Sequence, residues 1–179
     1  MSLKKDMLNL YYPNLERSIS SIRRSPPMTI PPDNRVNDHP LILGFDPGRD
    51  KCGVALVGTD RSICFHEVVA ADAAVSVINT LQQQYGPTQL VMGNQTTSLQ
   101  WRQKLEQQLR VALPITMIDE RYSTLEARDR YWTMYPPKGL ARLIPQGMRD
   151  VPRPIDDIVA IILVERYLDQ ATHERSLSP

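Results

Sequence analysis

The sequence predicts an α/β domain whose elements run in the order βββαβαβα, a meander of three strands followed by strands that alternate with helices. Two observations carry this reading. Apolar runs of strand length, LILGF and CGVALV, bracket a charged turn containing Pro47 and Gly48, and a third run, ICFHEVVA, follows the turn GTDRS with no helix between. Beyond it, apolar residues at helical spacing alternate with short apolar runs, the pattern of crossovers and parallel strands. At 179 residues the chain is one domain with some excess, long enough to bury a real core.

The excess lies at the front. Residues 1–38 hold Pro26-Pro27, Pro31-Pro32, a serine cluster around Ser18 and Ser21 and the pair Arg23-Arg24, with no sustained period. They read as a flexible extension with at most a short helical turn near Met7 to Leu10. The folded domain is expected over residues 39–170. Its first two strands form a hairpin around Pro47-Gly48 and the third completes the meander. Asp72 is placed to cap a helix in which Ala74, Ile78, Leu81 and Tyr85 repeat, stopped by Gly86-Pro87. Leu90 to Gly93 is a short buried strand, expected to run parallel to a strand of the meander because it follows a helical crossover. Ser98 is placed to cap a second helix with the stripe Trp101, Leu105, Leu109 and Ala112. Pro114 opens a fifth strand, PITMIDE, and Ser123 or Thr124 would cap a helix starting at Leu125. After Pro152 and Pro154, IDDIVAIILVERYL is almost wholly apolar through Val164 and reads as a helix buried against the sheet. Residues 171–179 are expected as a flexible tail.

Composition narrows the class. Charged residues make up 23% with a net charge of +1, so no global field announces a nucleic-acid partner and any such surface must be local. Cys52 and Cys64 fall within expected strands, with no Cys-x-x-Cys and no Cys/His cluster. That argues against zinc and disulfides and fits a reducing cytosol, so the expected location is cytoplasmic. The longest apolar run, Ile158 to Val164, is too short to span a bilayer. No apolar signal core follows Lys4-Lys5, and Asp6 and Glu16 count against a transit peptide.

The candidate chemistry lies in acids at apolar boundaries. Asp46 closes one buried strand, Asp119 and Glu120 close another, and Asp156 and Asp157 open the buried last helix. Each has an ordinary explanation alone: a turn cap for Asp46, an ion pair of Arg121 with a neighbouring acid, the helix dipole for the last pair. Together they bring acids from three distant segments to a place where sites collect in sheets with parallel strands, the strands' carboxyl ends. Clustered carboxylates repel one another, and divalent cations resolve that repulsion. Oxygen ligands without Cys or His point to Mg²⁺ or Mn²⁺ rather than zinc. Arg121 could neutralise an acid or hold a phosphate.

The segment from Tyr131 to Arg153 mixes Lys138, Arg142, Arg149 and Arg153 with Trp132 and Tyr135, and its four prolines and two glycines bar a long helix. Two readings stand side by side. The basic residues and aromatics grip phosphates and stack bases, closing over a bound strand, or a proline-rich loop packs its aromatics into the core.

The motifs GFDPGRDKCGVALV, DERYST and IDDIVAIILVERYL, in that order, resemble the YqgF/RuvX family of the RNase H-like superfamily over about residues 40 to 170. The resemblance implies an RNase H-like fold, a five-stranded mixed sheet flanked by helices, and a metal-dependent nuclease site with two Mg²⁺ or Mn²⁺ ions. Matched by motif, Asp46, Glu120 and Asp156 would be catalytic and, with Asp157, would hold the metal. Apart from the resemblance, the residues themselves make Arg121, Lys138, Arg142 and Arg149 the expected substrate contacts. Asp157 stands where the family usually has a small residue, and Gly93-Asn94-Gln95 stand where resolvase relatives place an acid. The implied role is nucleic-acid cleavage in maturing the ends of pre-16S ribosomal RNA, with RNA favoured over branched DNA and pre-ribosomal particles as partners. Resolution of Holliday junctions and a non-catalytic nucleic-acid-binding module are the alternatives. The chain would act as a monomer or homodimer. The same topology serves sugar kinases and actin-like ATPases, which need two such domains where this chain has length for one.

Overall fold

A computed structural model of the chain describes residues 39–95 and 97–177. The extension expected over residues 1–38, with its helical turn and Arg23-Arg24, lies outside them. Five strands form one sheet: β1 (Leu41–Asp46), β2 (Lys51–Gly58), β3 (Ile63–Ala70), β4 (Gln89–Gly93) and β5 (Ile115–Ile118), in the spatial order β3-β2-β1-β4-β5. β2 pairs antiparallel with β1 and β3, β4 pairs parallel with β1, and β5 pairs parallel with β4. β2 alone therefore runs against the rest. This is the five-stranded mixed sheet of an RNase H-like fold, in the element order expected, with the strand after the first crossover seated beside β1 as a parallel neighbour.

Four helices flank the sheet: α1 (Ala74–Tyr85), α2 (Ser98–Gln108), α3 (Ser123–Met134) and α4 (Asp156–Leu177). Because strand side chains alternate, Leu41, Leu43 and Phe45 pack with Ile78 and Leu81 of α1 and Trp101 and Leu105 of α2. Ile42, Ala55, Val57 and Val91 pack on the opposite face with α4 and with Ala127 and Tyr131 of α3. No residue from Ile158 to Val164 is more than 5% exposed. A helix apolar on all sides has to be covered on all sides, and the sheet and α3 do so. At about 1.5–3 kcal/mol for each large side chain fully buried, this run anchors the second face. No helix among the described residues is long and apolar enough to cross a membrane.

Several element ends differ from expectation. Asp72 does not cap α1: a turn intervenes, Ala73 is the N-cap, and no side chain bonds the helix end. Gly86 does end α1, in the left-handed region at φ 58°, donating its N–H to Gln82. In α2, Ser98 is the first helical residue and Thr97 the N-cap, with its hydroxyl turned away to donate to the Pro47 carbonyl at 3.0 Å. The helix stops at Gln108, before the expected Ala112, because α1 takes hold of the connection. Asn79 bonds Gln108 and Arg110, and the Gln82 amide donates to the Val111 carbonyl. β5 ends at Ile118, leaving Asp119 and Glu120 in the turn beyond it, and α3 starts at Ser123 rather than Leu125. α4 runs through Leu177, so residues 171–177, expected as a tail, extend it.

Candidate active site

Asp46 is the last residue of β1, and the backbone on either side of it is unusually bare. Its partner on β2 is Gly53, and on β4 the residue following the Phe45–Met92 pair is Gly93. A Cβ on Gly53 would stand 1.8 Å from the Asp156 carbonyl oxygen, so the first turn of α4 rests directly on β2. A Cβ on Gly93 would stand 1.7 Å from Glu120 Oε2, so the Glu120 carboxylate lies across the end of β4. Two missing side chains thus admit Asp156 from one side of Asp46 and Glu120 from the other.

The electrostatics record this convergence. Burial, then the charges of Glu120 and of Asp156, raise the Asp46 carboxyl from 3.8 to about 7. Burial also raises Glu120, with Asp119 adding to the effect, while the Gln95 N–H on Glu120 Oε1 at 3.1 Å and the Arg166 charge oppose it. The Cys52 thiol, next to Gly53, is pushed up by burial with Asp46 and Asp156 adding. Negative charge at this end of the sheet exceeds what the protein's own cations neutralise.

Arg166, midway along α4, fixes the turn that carries Glu120. It donates to the carbonyls of Asp119 and Arg121, on either side of that residue, and to Glu126 Oε1 at 2.8 Å. Tyr122, next in the turn, has φ 64°, a strained value for a residue with a side chain, and serves as the N-cap of α3.

Asp157 has a different setting from its neighbour. It is 2% exposed, pairs with His66 Nδ1 at 2.6 Å, and accepts both arms of the Arg153 guanidinium at 2.9 and 3.0 Å. Burial would raise its carboxyl, but His66 and Arg153 hold it below the ordinary value. Arg153 is itself held over the rings of Tyr131 and Tyr135, 5.6 Å from each. Both Asp157 oxygens are thus committed to partners within the chain, and of the adjacent acids it is Asp156 whose charge acts on Asp46.

The expected substrate residues scatter more widely. Arg121 lies exposed with its guanidinium on Asp119 at 2.8 Å, which is the ion pair foreseen as one option. Lys138 is exposed. Arg142 and Arg149 turn back on their own segment, donating to the carbonyls of Pro137 and Ile144. Trp132 and Tyr135 pack beside Tyr131 against the α4 cluster, so the aromatics of this segment belong to the core, the second of the two readings. Sequence reasoning missed His66, Arg166, Gly53 and Gly93. A histidine inside a mostly apolar strand and an arginine just beyond the apolar run of the last helix were the available signals. A cleft lined by Ile42, Thr59, Gln89 and Tyr167 lies at the other end of β1 and contains none of the acids.

Donor chemistry at Asp46, Glu120 and Asp156 suits a hard divalent cation: oxygen only, with net negative charge left over. Among the described residues no group of three or more His, Cys, Asp or Glu side chains stands close enough together to hold a metal ion as placed.

A family model described as RuvX, Holliday junction resolvase, matches residues 40–170. A protein of Xanthomonas oryzae pv. oryzae named "Putative pre-16S rRNA nuclease" is 30% identical over 148 residues, 73% of this chain and 90% of that protein. One of the same name from Legionella pneumophila is 30% identical over 147 residues, covering 73% and 96%. Among solved structures, the yeast mitochondrial Holliday junction resolvase aligns with 77% of this chain and 82% of its own at 13% identity and a TM-score of 0.45. Thermus thermophilus RuvC aligns with 77% and 97% at 12% and 0.43.

Proposed function

The chain belongs to the RuvX family, nucleases that act on nucleic acid, and from that premise we propose that it is a metal-dependent phosphodiesterase that trims the ends of precursor 16S ribosomal RNA. The observation that carries the metal dependence is the Asp46 carboxyl, raised to about 7 by burial and by the charges of Glu120 and Asp156. Asp46, Glu120 and Asp156 would hold Mg²⁺ or Mn²⁺, which when bound supplies an activated water at neutral pH and stabilises charge on the leaving oxygen. The chain's own contribution is placement. β1 fixes Asp46 at the sheet's end, α4 delivers Asp156 over Gly53, and the Arg166-bound turn delivers Glu120 over Gly93. With its carboxyl raised to about 7, Asp46 in the metal-free site is only partly ionised at neutral pH, and a bound cation would favour the ionised form. Asp157 is not assigned to the metal, since His66 and Arg153 already satisfy it. The choice of RNA follows the names of the relatives that cover most of this chain.

The test is cleavage of a precursor 16S end, single-stranded RNA and a four-way DNA junction, each with Mg²⁺ and with EDTA. Metal-dependent cutting of the RNA precursor is expected. Cutting of the junction with RNA left intact would replace ribosomal RNA trimming by junction resolution, and cutting undiminished by EDTA would remove the metal.

A further inference from the structure

The connection between α3 and α4 is built inside out. It forms two three-ten turns, Gly139–Leu143 and Gln146–Met148, and its two arginines are spent on bracing them. Arg142 donates to the Pro137 carbonyl at 3.0 Å, and Arg149 donates to the carbonyls of Ile144 at 2.8 Å and Arg142 at 3.3 Å. The Arg149 guanidinium also lies 5.7 Å from the centre of the Trp132 ring. Gln146 ties the segment to Asp129 of α3 at 2.9 Å. The large apolar side chains point out instead: Leu140 is 83% exposed, Leu143 80% and Met148 76%. Scattered apolar residues on a surface need no explanation, but four within nine residues, Ile144 at 45% being the least exposed, on a segment held in shape by its own arginines, form a presented ridge.

The charge around the ridge indicates what it meets. From Lys138 to Arg149 the sequence KGLARLIPQGMR holds three cations and no acid, which fits a polyanion. The segment then leads directly into Asp156. Phosphates and sugars offer nothing to leucine or methionine. In a nucleic acid the apolar surface is the base faces, and a continuous duplex stacks these away.

Resting on the nuclease reading, we propose that Leu140, Leu143 and Met148 insert among unpaired bases of the bound strand, so that the chain selects nucleic acid with unpaired bases near the phosphate it cleaves. Lys138 holds the backbone, and the apolar ridge reads the lack of pairing.

The test uses the full chain in EDTA, so that binding is read without cutting. The probes are an RNA hairpin with an unpaired segment carrying 2-aminopurine and a fully paired duplex of the same length. Binding of the hairpin should brighten the 2-aminopurine as it leaves its stacked neighbours. The triple variant Leu140→Ser, Leu143→Ser, Met148→Ser changes exposed side chains only. It should abolish the brightening and weaken hairpin binding about tenfold, leaving duplex binding and the slope of affinity against salt unchanged. Lys138→Ala should do the reverse, flattening the salt slope with the brightening kept. Equal affinities of wild type and triple variant for the hairpin would overturn the inference. So would an effect of the triple variant confined to binding anionic lipid vesicles or to self-association. Cleavage with Mg²⁺ is scored separately. A chain that unstacks the base yet cuts nothing supports the ridge and removes the nuclease reading, whereas one that cuts while the triple variant binds as tightly does the opposite.

Discussion

The sheet end around Asp46 and the pocket around Asp157 lie one peptide bond apart along α4, yet they treat a buried carboxylate in opposite ways. Around Asp46, burial and then two further acids raise the carboxyl to about 7. Around Asp157, a histidine and a two-armed arginine hold the carboxyl below its ordinary value in spite of burial. The fold is therefore able to neutralise an acid at the start of this helix, and does so for one of the pair. The acid that receives cations from the chain fixes the helix in place. Asp46, Glu120 and Asp156 are the acids that, on the function proposed above, would bind a cation from solution.

Asp46→Asn breaks the comparison most severely, because it removes the central charge of the first cluster without altering its volume. Cleavage should fall about a thousandfold or more, equivalent to ~4 kcal/mol of barrier, while circular dichroism and nucleic-acid binding are unchanged. Retention of most of the metal-dependent rate would remove Asp46 from the chemistry.

Next in size is Asp157→Ala, which leaves the Arg153 and His66 side chains without their shared partner. Urea unfolding should register a loss of about 3 kcal/mol. A loss under about 1 kcal/mol would mean that the Asp157 cluster is not the anchor of α4.

A pH series sharpens the contrast, because the two carboxyls shift in opposite directions. Asp46 has a raised folded value, so the unfolded chain gives up its proton first, and in EDTA stability should decline as pH rises from about 4 to about 7. Asp157 has a lowered value, so its contribution is present above about 4 and lost as pH falls below that. The Asp46 decline should vanish in Asp46→Asn and be offset by millimolar Mg²⁺ at pH 8. A flat wild-type profile between these limits would show that the acids near Asp46 do not act on it in solution.

The smallest effect is expected at Arg166, which shapes the Glu120 turn without being part of either cluster. Arg166→Met keeps much of the packing and removes the donors to Asp119 and Arg121. It should lower kcat about tenfold with KM little changed, and cost about 1 kcal/mol in stability.

Much of the scaffold is legible in the residues because it rests on local rules. Unbroken apolar runs in LILGFD and KCGVALVG mark strands with two covered faces, Pro47-Gly48 marks the hairpin turn, Gly86 ends α1 in the left-handed region it favours, and the apolar run from Ile158 marks a buried helix. Helix starts were less legible. Asp72 and Ser98 look like caps, yet the caps are Ala73 and Thr97, because contacts from elsewhere in the chain, such as the bond of Thr97 to Pro47, decide where the first turn closes.

The sequence by itself determined that acids would stand at the ends of buried elements, since a strand or helix with an apolar interior has only its termini at which to put a charge cheaply. Only the tertiary structure decided which of those acids share a space. That outcome depends on two glycines too small to keep Asp156 and Glu120 away from Asp46, and on His66 and Arg153 reaching Asp157 from positions 91 and 4 residues away. Whether a carboxylate is satisfied is a property of what surrounds it in three dimensions, and adjacent aspartates in a sequence carry no mark of it.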